Sequence, residues 1–137
     1  MTNQKHQFDL SPVRVEDLPP VLRLSLRVRP AHRGRLGRAL GLDLPARIGA
    51  RMAADGTEAL CLGPDEWLIA APEGADLASA ARAIYPEVPH SLADISDREI
   101  SLRLSGPADF RMDVWRSFAP HVRALLAQVQ GELAAGL

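Results

Sequence analysis

Leu22-Arg23-Leu24-Ser25-Leu26-Arg27-Val28-Arg29 is the stretch that sets the fold. Leu22, Leu24, Leu26 and Val28 fall on one side, and Arg23, Ser25, Arg27 and Arg29 on the other. Strict alternation of this kind marks a half-buried β-strand. Pro30 ends it. A second signal lies further on, where residues 57–62 and 66–71 read as a hairpin joined by Gly63-Pro64-Asp65-Glu66. Proline presets φ at the second position of a type I turn and Asp tolerates the third, so Asp65 is explained by its turn.

Working outward, residues 48–53, 90–95 and 99–105 read as strands, the last with Ile100, Leu102 and Leu104 alternating with Ser101, Arg103 and Ser105. Ser96-Asp97-Arg98 between two of them is turn chemistry. Ser105-Gly106-Pro107-Ala108-Asp109 then forms a short loop into another strand, in which Phe110, Met112 and Val114 alternate. Helices are expected at 31–41, with Gly41 as a C-terminal cap, and at 75–85, where Leu77, Ala80, Ala81 and Ile84 share a face. A long C-terminal helix follows, with Ser117 as N-cap, Pro120 in the first turn and a stripe of Phe118, Val122, Leu125, Leu126, Val129 and Leu133. The sum is an α+β fold: a mostly antiparallel sheet backed by helices on one face, its early part close to a split βαβ unit.

Residues 1–20 are polar, carry Pro12, Pro19 and Pro20, and have no period; they read as an arm or linker before a single domain at 21–137. The chain has 137 residues, 47% of them hydrophobic and 24% charged, the composition of a globular protein. A net charge of −1 gives no global pull toward nucleic acid or membrane, and no apolar run reaches the ~18 residues of a membrane span. Cys61 is the one cysteine, which excludes an intrachain disulfide and a CxxC zinc site. With no apolar leader after Met1, the expected compartment is the reducing cytoplasm. Fifteen of the sixteen basic residues are Arg, with Lys5 the exception, which reflects genome composition rather than chemistry.

Few residue types are placed for catalysis. His6, His32, His90 and His121 form no HxH or HxxxH pair and read as surface or hydrogen-bonded histidines. Cys61 sits inside the apolar run Ala59-Leu60-Cys61-Leu62, as a small hydrophobe does. Gly34, Gly37 and Gly41 match neither GxGxxG nor a P-loop. The arginine-rich stretch 21–51 has no aromatic residue to stack on bases. Asp94 and Ser96 flank a strand end, where such side chains bond local backbone. No active site emerges, which favours a binding or structural subunit.

Three segments carry a resemblance: Leu62-Gly63-Pro64-Asp65-Glu66-Trp67-Leu68; His90-Ser91-Leu92-Ala93-Asp94-Ile95-Ser96-Asp97-Arg98 running on to Leu104-Ser105-Gly106-Pro107; and Val114-Trp115-Arg116-Ser117-Phe118-Ala119-Pro120. Together with Leu36–Pro45 they resemble, in order, the gamma-subunit family of heterotetrameric sarcosine oxidases. The resemblance implies a fold similar to the folate-binding aminomethyltransferase domain, and an architectural role with no catalytic, cofactor or metal residue on this chain. FAD, FMN, NAD and tetrahydrofolate are then expected on the partner alpha, beta and delta subunits. That complex oxidises sarcosine to glycine, reduces oxygen to hydrogen peroxide and passes on a one-carbon unit. Relative to the family pattern, a few tens of residues are missing between Ala108 and Asp109. A folate-binding aminomethyltransferase-like domain and a stand-alone protein-binding module are the alternative readings.

Charge is segregated along the chain. Residues 21–51 hold eight Arg against Asp43, and residues 52–113 hold four Arg against twelve acids. Such a division implies an internal ion-pair seam or a charged docking surface. The outward face of the first strand, Arg23, Arg27 and Arg29, is the expected partner interface. Trp67 and Trp115, at strand ends, are expected to pack against core or partner.

Overall fold

The computed structural model describes residues 13–136. Lys5, His6 and the first part of the expected arm lie outside that range. The main elements, in chain order, are β1 (Arg14–Asp17), β2 (Leu22–Val28), α1 (Arg33–Leu40), β3 (Arg51–Ala54), β4 (Thr57–Gly63), β5 (Glu66–Ala71), α2 (Leu77–Ala83), β6 (His90–Asp94), β7 (Glu99–Ser105), β8 (Asp109–Trp115) and α3 (Ala119–Ala134). The α+β class and the alternation of helices with antiparallel strands agree with the sequence pattern. The grouping differs: contacts divide the chain into one unit of Pro20–Ser96 and another joining the segment before Pro20 to Asp97 and beyond.

The first unit is a five-stranded antiparallel sheet in the order β3-β4-β5-β2-β6. Leu24, Leu26 and Val28 of β2 are buried together with Ala59, Cys61, Trp67 and Ile69 of β4 and β5, and with Leu36 and Leu40 of α1. Period-2 burial on the strands thus meets period-3.6 burial on the helix. The Pro64-Asp65 turn closes β4 onto β5, with a register shift between Cys61 and Gly63. Gly41 caps α1 in the left-handed conformation at φ 70°. Gly37 is required for a closer reason: a Cβ there would lie 2.6 Å from the Leu42 carbonyl oxygen. Strand β2 is not an edge, since it pairs with β5 on one side and β6 on the other.

The second unit is a three-stranded antiparallel sheet in the order β1-β7-β8 with α3. The Gly106-Pro107-Ala108 loop joins β7 to β8 in register, Ser105 opposite Asp109, and Arg103 grips Asp109 through two hydrogen bonds of 3.0 and 2.6 Å. Among its described residues, Leu102, Val114 and Ala119 are the buried apolar ones. Arg123 of α3 pairs with Asp17 at 2.8 Å, and Gln130 donates to the Val13 carbonyl at 2.6 Å.

Three local expectations are corrected. Residues 14–17, inside the expected arm, form a strand, because pairing with β7 supplies what one apolar residue, Val15, cannot signal. Ser96-Asp97-Arg98 is a turn, as its residues specify, and it links strands of different sheets: β6 pairs with β2, while β7 pairs with β1 and β8. Ser117 does not cap α3; it lies in a 3-10 turn, Arg116–Phe118, and no side chain caps the helix. Along α3, Val122 and Leu126 are half-buried while Leu125, Val129 and Leu133 are exposed.

Candidate functional site

The arginine face of β2 is divided by the fold. Arg23 is only 3% exposed, so it is not available to a partner. Arg27 is exposed but paired with Glu66 at 3.2 Å. Arg29 is exposed beyond the strand end. Arg35–Glu87 and Arg51–Glu58 join Arg27–Glu66 in linking the basic stretch to the acidic one. Arg27, Arg35 and Arg51 thus meet acids along an internal seam. Each such exposed pair stabilises by ~0–1 kcal/mol.

Asp94 and Ser96 do local structural work. The Asp94 carboxylate accepts from the Ser96 hydroxyl at 2.6 Å and from its backbone N–H at 2.9 Å. These bonds, the side-chain one foremost, hold its carboxyl below the usual carboxylate range. Ser96 Oγ in turn accepts the Arg23 backbone N–H at 2.9 Å, and Ile95 N–H donates to the Arg23 carbonyl. The motif is a clasp that finishes the β2–β6 pairing. Asp65 has a similar duty, its carbonyl accepting the Val28 N–H.

Trp67 is 1% exposed, and its Nε1 donates to the Pro45 carbonyl at 2.8 Å. The expectation of a core residue holds. Trp115, in contrast, is 62% exposed. Its ring lies 6.1 Å from that of Phe118, tilted by 42°. Asp97, Arg98, Trp115, Arg116 and Ser117 line an open cleft of about 590 Å³. Arg116 holds its floor together: its N–H donates to the Arg98 carbonyl at 2.7 Å and its Nε to the Asp97 carbonyl at 3.0 Å. Two motifs distant in sequence, ending at Arg98 and starting at Trp115, therefore meet. Sequence reasoning assigned Arg98 a turn role and set Phe118 on the stripe of the C-terminal helix; two aromatic residues flanking a helix start, Trp115 and Phe118, were the available signal.

Reactive groups elsewhere are engaged in packing. Cys61 is buried and its thiol donates to the Gly63 carbonyl at 3.1 Å. Gly37 packs against Leu42 and Leu44, leaving no phosphate cradle at that glycine. His90 Nδ1 meets the Val88 carbonyl at 2.8 Å. Among the described residues no group of three His, Cys, Asp or Glu side chains could hold a metal ion, and no helix is long and apolar enough to cross a membrane.

A sequence model described as the sarcosine oxidase, gamma subunit family matches residues 27–130, which include both halves of the cleft. The chain belongs to this family. Sarcosine oxidase subunit gamma of Corynebacterium sp. (strain P-1) is 36% identical over 99 residues, covering 70% of this chain and 49% of that protein. The subunit gamma of Arthrobacter sp is 42% identical over 88 residues, 62% of this chain and 43% of that one. The chain spans about half the length of these gamma-subunit relatives. A chain of the heterotetrameric sarcosine oxidase from Corynebacterium sp. U-96, solved in complex with pyrrole 2-carboxylate, shares the fold with a TM-score of 0.77 at 24% identity, covering 88% of this chain and 85% of that one. The chain shares that fold with a β7–β8 connection three residues long.

Proposed function

We propose that the chain acts as the non-catalytic gamma subunit of a heterotetrameric sarcosine oxidase, which demethylates sarcosine oxidatively to glycine. The observation that carries this reading is the family match over residues 27–130. The internal duties of Cys61, Gly37 and Asp94 support an architectural role, since each is used in packing or in local hydrogen bonds. In this reading the alpha, beta and delta subunits hold FAD, FMN, NAD and tetrahydrofolate and supply the redox and one-carbon chemistry. This chain contributes surface, and the complex works in the cytoplasm.

The test is co-expression with the three other subunits of such an oxidase. The chain is expected to co-purify in a complex that consumes sarcosine and releases peroxide. The isolated chain is expected to be colourless and inert toward sarcosine. A flavin absorption band or peroxide production by the isolated chain would overturn the non-catalytic reading. Failure to co-purify would overturn the subunit assignment.

A further inference from the structure

The unit built on β7, β8 and α3 exposes Trp115, Phe118, Leu125, Val129 and Leu133. Phe118, Leu125, Val129 and Leu133 follow at intervals of seven, four and four, which places them on one stripe of helix surface. At 1.5 Å per residue that stripe runs for about 22 Å. Its N-terminal end is the tilted Trp115–Phe118 pair, beside the cleft lined by Arg98 and Arg116. Among the described residues neither guanidinium has a carboxylate within ion-pair distance; Arg116 spends its Nε on the Asp97 carbonyl, and Asp97 is the acid in the cleft wall.

An elongated apolar stripe that ends in aromatic rings and cations is too long for a small ligand and has the make-up of a protein interface. Trp, Phe and Arg are the residues enriched at such contacts, and aromatic and Arg anchors carry most of their energy. We infer that this surface docks another subunit of the oxidase, through an apolar segment laid along α3 whose end presents carboxylates to Arg98 and Arg116. The inference deepens the proposed function and rests on it. The charge at one end fixes which way the partner segment runs, while the apolar stripe supplies the burial. The β2 arginines are unsuited to this task, with Arg23 enclosed and Arg27 neutralised by Glu66.

The test uses the co-expressed oxidase with Trp115→Ala, Val129→Asp and Arg98→Glu, all at exposed positions, with thermal melts as the control for folding. Trp115→Ala and Val129→Asp should weaken assembly by about tenfold or more, the effect of losing an interface anchor. Arg98→Glu should slow association at low salt, and the difference should fade as salt screens it. If the parent chain assembles and all three variants assemble equally well, the interface lies elsewhere and the subunit assignment stands. If the parent chain does not assemble, the assignment falls and takes this surface with it. If Val129→Asp abolishes a dimer of the isolated chain while leaving oxidase assembly intact, the occupant is a second copy and the inference is wrong.

Discussion

The indole N–H of Trp67 donates a 2.8 Å hydrogen bond to the Pro45 carbonyl, tying the segment after α1 to the middle of the five-stranded sheet. Trp67→Ala removes the largest fully buried side chain and leaves that carbonyl without its donor. The expected loss is ~3–5 kcal/mol. Trp67→Phe keeps most of the packing and should cost less. Trp115→Ala should melt within ~0.5 kcal/mol of the parent, as exposed positions do. Denaturant unfolding of the three variants checks the ranking, and equal midpoints for the two Trp→Ala changes would contradict it.

Gly34 and Gly37 lie one turn apart in α1 and should respond in opposite directions. At Gly34 an added methyl would find Arg38 Nη1 nearest, at 3.6 Å, an ordinary contact. Gly34→Ala should therefore be neutral or stabilising by up to ~1 kcal/mol through helix propensity. At Gly37 the 2.6 Å approach of the Leu42 carbonyl admits no Cβ, and that carbonyl belongs to backbone. Gly37→Ala should cost ~1–3 kcal/mol, the range for overpacking. Thermal melts of the pair decide it.

Arg23 and Arg27 lie on the same strand, β2, but are not equivalent. Arg23→Glu places a negative charge at a position 3% exposed and should reduce the yield of folded protein. Arg27→Glu removes one exposed pair and adds a repulsion with Glu66. Its cost should stay near ~1 kcal/mol. Soluble yield and melting temperature separate the cases; a well-folded Arg23→Glu variant would show that the enclosure of this residue is not obligatory.

Acid should weaken the fold through Asp76, Asp94 and Asp109. Asp76 caps α2 and the hydrogen bonds it accepts from Ser79 hold its carboxyl down, Ser96 holds down Asp94, and Arg103 holds down Asp109. A carboxyl lowered in the folded state binds its proton less readily there than in the unfolded chain. Its contribution is complete above the unfolded value of ~4 and is lost as pH falls through the lower folded value. Melting temperature should be flat in the neutral range in this respect and decline below it. Replacing all three by Asn should make the decline shallower; an unchanged acid profile would place the sensitivity in other groups.

Much of the fold was legible because burial follows period. Leu24, Leu26 and Val28 sit on the core side of β2 as their alternation requires, and the Pro64-Asp65 turn closes the hairpin its residues specify. What escaped was set by distant pairing. Arg14-Val15-Glu16-Asp17 becomes a strand through β7, and the turn after Asp94, legible as a turn, gives no sign that the strands on its two sides belong to different sheets. Strand alternation names two faces without saying whether both will be covered, so Arg23 was expected outside. The same limit applies to Trp115, since an aromatic residue at a strand end reads alike whether it enters a core or faces solvent.

The pairing of β1 with β7 has a consequence for synthesis on the ribosome. Val15 must wait for Leu104, and the whole of Pro20–Ser96 is translated between them. At ~5–20 residues per second the delay is on the order of 4–18 s. The five-stranded sheet is continuous in sequence and can close during that interval. The three-stranded sheet can form only after Asp109–Trp115 has left the exit tunnel, with β1 returning to a partner that did not yet exist when it emerged. Vectorial folding therefore has a built-in order, in which the earliest strand among the described residues is among the last to be paired.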